Sequence, residues 1–309
     1  MMVQTRAMAM TTDLSPDWIA VDWGTTNLRV TAMGTAGPLE TRQSDEGMSR
    51  LTPDQFEPAL MRLLAGWVPD QGSLAVYACG MVGSRQGWAE AKYRAVPCPP
   101  LDVTALTPIP TRDPRVRVLV APGLCQTSPP DVMRGEETQI AGALALNPQY
   151  DGILCMPGTH SKWAHISAGE VVSFQTFLTG ELFALISASS VLRHGMAGEG
   201  WDAPAFDAAV SDALSRPEKL AARLFSLRAE GLLTGLAPAT ARARLSGLLI
   251  GMELAAAKPY WLGQSVTMIG APALSAHYAR ALGAQGITPR LLSGHACTLA
   301  GLATLRGAA

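Results

Sequence analysis

The 309-residue sequence lacks the features that mark several classes of protein. It has only five cysteines, and no two of them form a C-x-x-C pair, so zinc and dithiol sites are not indicated. No apolar run reaches the roughly 18 residues that a membrane span requires. Residues 1–16 hold one arginine but no continuous apolar core, so we expect neither a signal peptide nor an anchor there. Together these absences predict a cytoplasmic protein with reduced thiols.

Charge of either sign is also scarce, and the two signs balance. Charged residues make up 16% of the chain, with 24 Lys and Arg against 25 Asp and Glu, for a net charge of −1. Because no long block of like charge occurs, neither nucleic acid nor an anionic membrane is favoured as a partner. The hydrophobic fraction of 48% is enough for a substantial core and, at this length, for two domains. We expect a small-molecule ligand; a homo-oligomer is compatible with the composition, but no pattern argues for one.

Two common nucleotide-binding motifs are absent, namely G-x-x-x-x-G-K-[ST] and a G-x-G-x-x-G that follows a strand. Any phosphate site must then come from other turns, and residues 18–34, WIAVDWGTTNLRVTAMG, offer one. A branched apolar run ends at Asp22, a carboxylate that could hold a hydrated Mg²⁺. The following turn, Gly24–Asn27, allows close backbone approach and supplies hydrogen-bond donors. Taken alone, an ordinary strand–turn–strand hairpin is the simpler interpretation.

The chain repeats this pattern in its second half. Residues 151–177 lie over residues 17–43 with an offset of 134, and each copy is a strand, a polar Gly-Thr turn, and two further strands. The repeat predicts an α/β protein with two related halves, each opening with a three-stranded meander, that face each other across a cleft. Asp22 corresponds to Met156, so only the first half can hold the metal. The second turn, Gly158–Lys162, suits a terminal phosphate.

Two further segments carry candidate catalytic or binding groups. After a predicted buried strand, a glycine-punctuated loop contains Gly83–Gln86, where Arg85 offers bidentate recognition of a carboxylate; a solvated loop arginine is the alternative. Residues 133–146 predict a helix that joins the two halves and carries Glu136 and Glu137 near its start. One of these carboxylates could act as a base, or both could merely charge the helix start.

The remaining pattern predicts alternating helices and strands. A helix over residues 52–67 should cover the first sheet, and a nearly all-apolar helix over residues 240–257 should be deeply buried. Nine prolines between residues 97 and 130 predict an irregular chain apart from one strand. A strand at 265–269 leads into Gly270-Ala271-Pro272 and a helix, an arrangement that can approach a nucleotide closely. No role is assigned to four histidines: His165, His194, His277 and His295.

Seven segments together resemble a known family. In chain order they are VDWGTTNLR, GMVGSRQGW, PDVMRGEETQ, MPGTHSKW, FQTFLTGELFALIS, RLSGLLIGMEL and IGAPALSAHYARALG. They resemble the 2-dehydro-3-deoxygalactonokinase family, and the match covers nearly all of the chain after Pro16. The family belongs to the actin, hexokinase and Hsp70 superfamily, whose duplicated ribonuclease-H-like domains clamp ATP. The resemblance implies ATP-dependent phosphorylation of 2-dehydro-3-deoxy-D-galactonate at its 6-hydroxyl, with Mg²⁺, in galactonate breakdown.

The resemblance also implies roles for individual residues. The superfamily's catalytic carboxylate often lies near the start of the linking helix, where we favour Glu137, then Glu136, then Asp131 as the base. Asp22 is the expected metal residue, and Met156 departs from the superfamily, which commonly has Asp there. The expected ATP-phosphate residues are Gly24, Thr25, Thr26, Asn27, Gly158, Thr159, His160, Ser161 and Lys162; the adenosine residues are Gly270, Ala271 and Leu274; and the substrate residues are Gly83, Ser84, Arg85, Gln86 and Arg134.

The expected organisation follows from these assignments. Residues 1–14 are predicted to be a disordered tail, residues 15–140 a domain for the metal and the sugar acid, and residues 141–309 a domain for the nucleotide. A kinase for another sugar or sugar acid is one alternative function, and a phosphatase acting on polyphosphate or nucleotides is another. A non-enzymatic, nucleotide-dependent sensor is disfavoured because the chain has no spare segment for a partner domain.

Overall fold

The computed structural model describes residues 14–307 and has an α/β fold. By their contacts, these residues divide into two compact units. Unit 1 contains residues 14–93, 101–123 and 305–307, and unit 2 contains residues 94–100 and 124–304. The segment 124–140 packs within unit 2, whereas the predicted first domain extends to residue 140.

The strands, in chain order, are β1 (Trp18–Trp23), β2 (Leu28–Gly34), β3 (Gly37–Ser44), β4 (Leu74–Gly80), β5 (Tyr93–Ala95), β6 (Thr107–Ile109), β7 (Val116–Val120), β8 (Gly123–Thr127), β9 (Pro130–Met133), β10 (Gly152–Met156), β11 (Ser161–Ser167), β12 (Glu170–Phe177), β13 (Val266–Gly270) and β14 (Arg290–Ser293). The helices are α1 (Phe56–Leu63), α2 (Glu136–Leu146), α3 (Thr179–Ser189), α4 (Ala203–Ser215), α5 (Leu220–Leu233), α6 (Pro238–Ala256), α7 (Lys258–Trp261), α8 (Pro272–Gly283) and α9 (Gly294–Gly307). Within residues 14–307, none of the helices is both long and apolar enough to span a bilayer.

The main sheets of the two units share one strand order. In unit 1 the order is β3-β2-β1-β4-β7-β6, and in unit 2 it is β12-β11-β10-β13-β14. In each sheet the first three strands form an antiparallel meander, and the meander's first strand pairs in parallel with the next strand along. A third sheet has the order β5-β8-β9. Both predicted meanders are therefore present at their predicted places.

The pairing of the strands corrects the single offset of 134. The offset of 134 does relate β1 to β10. Ile19 of β1 pairs with the parallel strand β4, and Ile153 of β10, 134 residues later, pairs with the parallel strand β13. After the turn, however, β11 begins 133 residues after β2, and β12 begins 133 residues after β3. The second repeat is thus one residue shorter at its turn. As a result Lys162 pairs with Met156 just as Arg29 pairs with Asp22.

Local sequence explains where the elements begin and end. The predicted helix at 52–67 is a 3-10 turn, Pro53–Gln55, followed by α1, and a capping box between Thr52 and Gln55 closes its start. The prediction that the proline-rich region is irregular was wrong, since the region forms the strands β6, β8 and β9. Pro108 lies in an edge strand and Pro130 opens its strand, which are the places where a missing N–H is tolerated.

Each unit has its own apolar core. The core of unit 1 lies between its sheet and α1, and it includes the buried indole of Trp23 and the ring of Phe56. Leu14 packs against this core and so does not belong to the predicted tail. The rest of that prediction, residues 1–13, lies outside the described residues. In unit 2, α6 is buried along most of its length, as predicted.

Two helices of unit 2 cross unusually closely. A Cβ on Gly142 of α2 would overlap the carbonyl oxygen of Cys297 in α9, and a Cβ on Gly301 of α9 would overlap the carbonyl oxygen of Thr138. Only glycine fits at both positions, because any larger residue would push the two backbones apart. This crossing fixes the position of the start of α2, where the candidate catalytic carboxylates lie.

Candidate active site

In unit 2, the turn between β10 and β11 is held firmly against the start of α3. A Cβ on Gly180 would overlap the carbonyl oxygen of Gly158, so the helix backbone touches the turn. The amide of Glu181 donates a hydrogen bond to the carbonyl oxygen of Thr159 (2.9 Å), and its carboxylate lies 2.6 Å from Nε2 of His160. Thr159 and His160 remain exposed at the tip. The predicted second phosphate turn is thus a braced loop with exposed polar groups.

Lys162 lies just behind this turn and is almost entirely buried. Its side chain is 5% exposed, and Nζ lies 3.3 Å from Oε1 of Glu136, whose side chain is 26% exposed. The other carboxylate oxygen, Oε2, accepts a hydrogen bond from the amide of Arg134 (3.1 Å). The structure therefore brings together one end of β11 and the first residue of α2. A compact ammonium charge at this place suits a terminal phosphate.

Glu137 is fully buried, in contrast to its neighbour. Its Oε2 accepts a hydrogen bond from the amide of Gly135 (2.6 Å), and its Oε1 accepts one from the hydroxyl of Thr138 (3.0 Å). Burial raises the pKa of Glu137 to about 7, and the charge of Glu136 adds to the rise. One carboxylate of the adjacent pair thus faces inward and secures the helix start, while the other lies beside Lys162. This difference in accessibility favours Glu136 over Glu137 as the group that meets a substrate.

Asp131, the third carboxylate considered, joins two strands of unit 2. Its Oδ2 accepts a hydrogen bond from the amide of Thr176 in β12 (2.7 Å), and its Oδ1 accepts one from the hydroxyl of the same residue (2.7 Å). Oδ1 also accepts a hydrogen bond from the amide of Val132 (2.7 Å). With both oxygens engaged in linking β9 to β12, this carboxylate has the contacts of a structural residue.

A cavity of about 420 Å³ opens beside the braced turn of unit 2. Leu274, from the predicted adenosine segment, lines it together with Gly158 and Thr159 of the turn. Gly270 and Ala271 lie one turn earlier, where a Cβ on Gly270 would stand 3.4 Å from the carbonyl oxygen of Pro157. The predicted adenosine and phosphate segments therefore meet at one cavity. Its other lining residues are Thr179, Gly180, Phe183, Trp201, Arg242, Ser246, Leu249, Ile250, His277 and Tyr278.

Two aromatic residues of this cavity were missed in the sequence. The rings of Trp201 and His277 stack with centroids 4.1 Å apart and planes inclined by 28°. Burial lowers the pKa of His277, and the charge of Arg280 adds to the effect, so the imidazole is neutral at pH 7. His277 had been given no role, although its spacing from Leu274 places both residues on one face of α8. No comparable signal marked Trp201.

The first predicted phosphate turn, in unit 1, is also braced. The amide of Gly24 donates to the carbonyl oxygen of Asn27 (2.9 Å), and the amide of Met48 donates to the carbonyl oxygen of Gly24 (3.0 Å). The amide and hydroxyl of Ser49 both donate to the carbonyl oxygen of Thr25. Thr25, Thr26 and Asn27 are exposed. Their polar groups are thus presented to solvent by a fixed backbone.

Asp22 stands at the end of β1, next to this turn. Its carboxylate, 35% exposed, lies 3.6 Å from the guanidinium of Arg29 on the neighbouring strand. Across the described part of the chain, no three His, Cys, Asp or Glu side chains gather closely enough to hold a metal ion by themselves. A single accessible carboxylate fits Mg²⁺ only in its usual mode, in which one or two carboxylates act together with waters and substrate phosphates. The partly exposed carboxylate of Asp22 fits this mode of binding.

The predicted substrate loop of unit 1 follows β4. Gly80 adopts a φ of 91°, and a Cβ there would stand 2.7 Å from the carbonyl oxygen of Trp23, so the position requires glycine. Among the described atoms, the buried hydroxyl of Ser84 has no hydrogen-bond partner. Arg85 is 81% exposed and lies 3.5 Å from the carboxylate of Glu90, and Gln86 is exposed beside it. The loop thus presents a guanidinium and an amide to solvent.

The buried carboxyl of Glu137 should make stability depend on pH. Its pKa is 4.5 in the unfolded chain and about 7 in the folded one, so the folded state keeps the proton longer. The free energy of unfolding should therefore fall as pH rises from about 4.5 to about 7, on the order of 3 kcal/mol in total. Glu137→Gln should remove most of this slope, and the exposed Glu218→Gln should keep it. Urea unfolding of the wild-type protein and of both variants, at about pH 5 and about pH 8, measures the change in the free energy of unfolding between the two pH values. If Glu137→Gln showed the same change as the wild-type protein, the raised pKa would be refuted.

Comparisons with known proteins agree on one family. The family model described as 2-keto-3-deoxy-galactonokinase matches residues 22–305. A probable 2-dehydro-3-deoxygalactonokinase of Rhizobium meliloti strain 1021 is 41% identical over 294 residues, covering 92% of this chain and 95% of that protein. The 2-dehydro-3-deoxygalactonokinase of Escherichia coli K12 is 35% identical over 292 residues, covering 93% and 97%. A crystal structure from Sinorhizobium meliloti, assigned to the same kinase, aligns with a TM-score of 0.87 at 40% identity, covering 94% of this chain and 98% of that one. The chain therefore belongs to the 2-keto-3-deoxy-galactonokinase family.

Proposed function

We propose that this protein is a 2-dehydro-3-deoxygalactonokinase that transfers the γ-phosphoryl group of ATP to the 6-hydroxyl of 2-dehydro-3-deoxy-D-galactonate. Family membership over residues 22–305 supports the substrate and the reaction class. The observation that carries the chemistry is the contact between Lys162 and Glu136 behind a braced turn. It combines a cation for a phosphate with a carboxylate for a hydroxyl, and both are needed for phosphoryl transfer.

The cavity of unit 2 is the proposed nucleotide site. Leu249, Ile250 and Leu274 give it apolar walls for a nucleoside, while the turn residues Gly158 and Thr159 lie in the same lining. The nucleoside would occupy the cavity, and its phosphates would run along the turn toward Lys162. Gly270, Ala271, His160 and Ser161 are supporting residues of this site.

Unit 1 carries the remaining predicted groups. Asp22 would hold Mg²⁺ through water, and the exposed turn Gly24–Asn27 would donate hydrogen bonds to phosphate oxygens. When bound, Mg²⁺ neutralises charge on the phosphates. The repeated strand order supports the predicted duplication of a ribonuclease-H-like domain, as in actin-like ATPases. The facing of the two halves across a cleft, the division into domains and the cytoplasmic location stay predictions.

The proposed chemical step assigns the base to Glu136. The oxygen of the 6-hydroxyl attacks the γ-phosphorus, the bond from phosphorus to the β,γ-bridging oxygen breaks, and the hydroxyl proton passes to the Glu136 carboxylate. Lys162 neutralises charge on the transferred group. The first choice from sequence, Glu137, is replaced because its carboxyl is buried and occupied by Gly135 and Thr138. Asp131 is disfavoured for a similar reason, since its oxygens hold β12.

The substrate's carboxylate is proposed to bind Arg85. Its guanidinium is accessible and its planar donors match a carboxylate, while the exposed amide of Gln86 can bind a neighbouring oxygen. The hydroxyl of Ser84 is buried beneath them. Gly83 shapes the loop, and Arg134, two residues before Glu136 in the chain, is a second candidate for the sugar acid.

An assay of ADP release tests the function. ADP should form when ATP, Mg²⁺ and 2-dehydro-3-deoxy-D-galactonate are all present, and ³¹P and ¹³C NMR should place the phosphate on the 6-oxygen. ADP release that does not depend on any sugar acid, or phosphate release from polyphosphate, would instead indicate a phosphatase. Turnover with other sugar acids but not with this one would indicate a kinase of different specificity.

The carboxylate contact predicts a selective effect on KM. Arg85→Ala should lower kcat/KM for the sugar acid, mainly by raising KM, because a charge-assisted contact is lost. The loss should correspond to about 2 kcal/mol of transition-state stabilisation. The KM for ATP should hardly change. Arg50→Ala is the matched control, since Arg50 is also an exposed arginine of unit 1 paired with a carboxylate. Equal effects on both substrates would contradict the assignment and point to a structural role for the loop.

The assignment of the base is tested by comparing adjacent variants. Glu136→Gln should lower the single-turnover rate by roughly 10² to 10⁴, the usual contribution of a positioned general base, while nucleotide binding is kept. Glu137→Gln should change this rate much less, because its carboxyl does not reach the substrate. Rapid-quench measurements at saturating substrates decide between them. A large loss in Glu137→Gln together with a near-normal Glu136→Gln would restore the original preference.

A further inference from the structure

A second buried carboxylate in unit 2 takes no part in the proposed chemistry. Glu253, in the last turn of the buried helix α6, is completely inaccessible. Its Oε1 accepts a hydrogen bond from Nε1 of Trp163 (2.8 Å), and its Oε2 accepts one from the hydroxyl of Tyr278 (2.7 Å) and another from the hydroxyl of Thr179. All three donors are themselves buried. Glu253 is therefore the centre of a closed polar network inside an otherwise apolar core.

The donors come from three different elements that border the nucleotide cavity. Trp163 belongs to β11, Thr179 begins α3, and Tyr278 lies on α8. Thr179 and Tyr278 also line the cavity. One carboxylate thus ties together the strand, the helix start and the helix face that would surround a nucleotide.

The network reaches the phosphate turn by two routes. The hydroxyls of Tyr278 and Ser161 lie 2.9 Å apart, and Ser161 is the first residue of β11. Thr179 precedes Gly180, whose backbone touches Gly158 of the turn. Ser161 and Trp163 share one face of β11, so fixing both directs the intervening Lys162 to the opposite face, where Glu136 lies. The side chains around Glu253 therefore set the position of the turn and of its lysine.

The energetic cost of this arrangement argues for a specific use. Burial raises the pKa of Glu253, whereas the hydrogen bonds from Thr179, Tyr278 and Trp163 lower it. A carboxyl in a core costs free energy that an apolar residue of similar volume would avoid, so it is a poor device for stability alone. What three directed hydrogen bonds supply is a fixed mutual geometry of the groups that donate them.

We propose that Glu253 is a positioning residue for the nucleotide: through Tyr278 and Thr179 it holds the turn Gly158–Lys162 in the geometry that receives the phosphates of ATP. This inference rests on the proposed kinase function. It assigns Glu253 no contact with the substrate and no proton transfer. Its consequence is that disturbing the network weakens nucleotide binding without weakening binding of the sugar acid.

The test compares nucleotide affinity with stability in matched variants. Glu253→Gln keeps the side-chain shape but turns an N–H group toward groups that donate, and Tyr278→Phe removes only the hydroxyl. Each should raise the Kd for ADP and the KM for ATP by about tenfold, with the KM for the sugar acid unchanged. Leu254→Ala, at the neighbouring buried position of α6, should lose thermal stability but keep the Kd for ADP.

The double variant Glu253→Gln, Tyr278→Phe gives a second, independent readout. If Glu253 acts through Tyr278, the two effects on the Kd for ADP should combine to less than their product. Independent, multiplying effects would overturn the proposal, as would an unchanged Kd in Glu253→Gln or an equal rise in Leu254→Ala. If Glu253→Gln does not fold, Tyr278→Phe and the isosteric Thr179→Val carry the same comparison. Failure of the wild-type protein to bind ADP would refute the proposed function instead.

Discussion

The burial of the Lys162 ammonium beside Glu136 is the interaction on which the candidate site depends. An ammonium group at 5% exposure is costly unless a counter-charge meets it, so β11 and the first turn of α2 must lie together. The start of α2 is in turn placed by its crossing with α9, where Gly142 and Gly301 allow the two backbones to touch. A charge pair at the site thus depends on two glycines along the helices behind it, and this explains why small residues occur within otherwise ordinary helices.

The two repeated meanders share one backbone arrangement but differ in the charged residues at equivalent positions. At equivalent cross-strand positions, unit 1 pairs Asp22 with Arg29 and unit 2 pairs Met156 with Lys162. A cation is therefore kept in both repeats, whereas the carboxylate is kept only in the first. Replacing the aspartate by methionine removes the intra-repeat partner of Lys162, and the counter-charge is supplied instead by Glu136 from α2. The counter-charge of Lys162 thus comes from outside its own hairpin.

Local sequence patterns predicted most of the fold, but not the contacts that join distant segments. The meanders, α2 and the buried α6 follow from sequence periodicity, and the start of α1 follows from the capping residue Thr52; all of these signals act over a few positions. The one-residue difference between the two repeats was missed because strand register depends on pairing, not on matched turn residues. The pattern around Trp201 and His277, which lie far apart in the chain, gave no sign of their stacking. Glu253 lies within one of the segments that resemble the family, but it was given no role. Only the folded core brings its three hydrogen-bond donors together.

The adjacent glutamates show why a raised pKa does not by itself identify a catalytic base. A pKa of about 7 would suit proton transfer near neutral pH, and Glu137 has it. Yet the largest cause of that value is burial, and the same burial removes the carboxyl from any substrate hydroxyl. Glu253 has a pKa raised by the same cause and is equally inaccessible. Accessibility and a neighbouring cation are therefore the criteria by which we prefer Glu136, whose carboxylate combines partial exposure with a contact to Lys162.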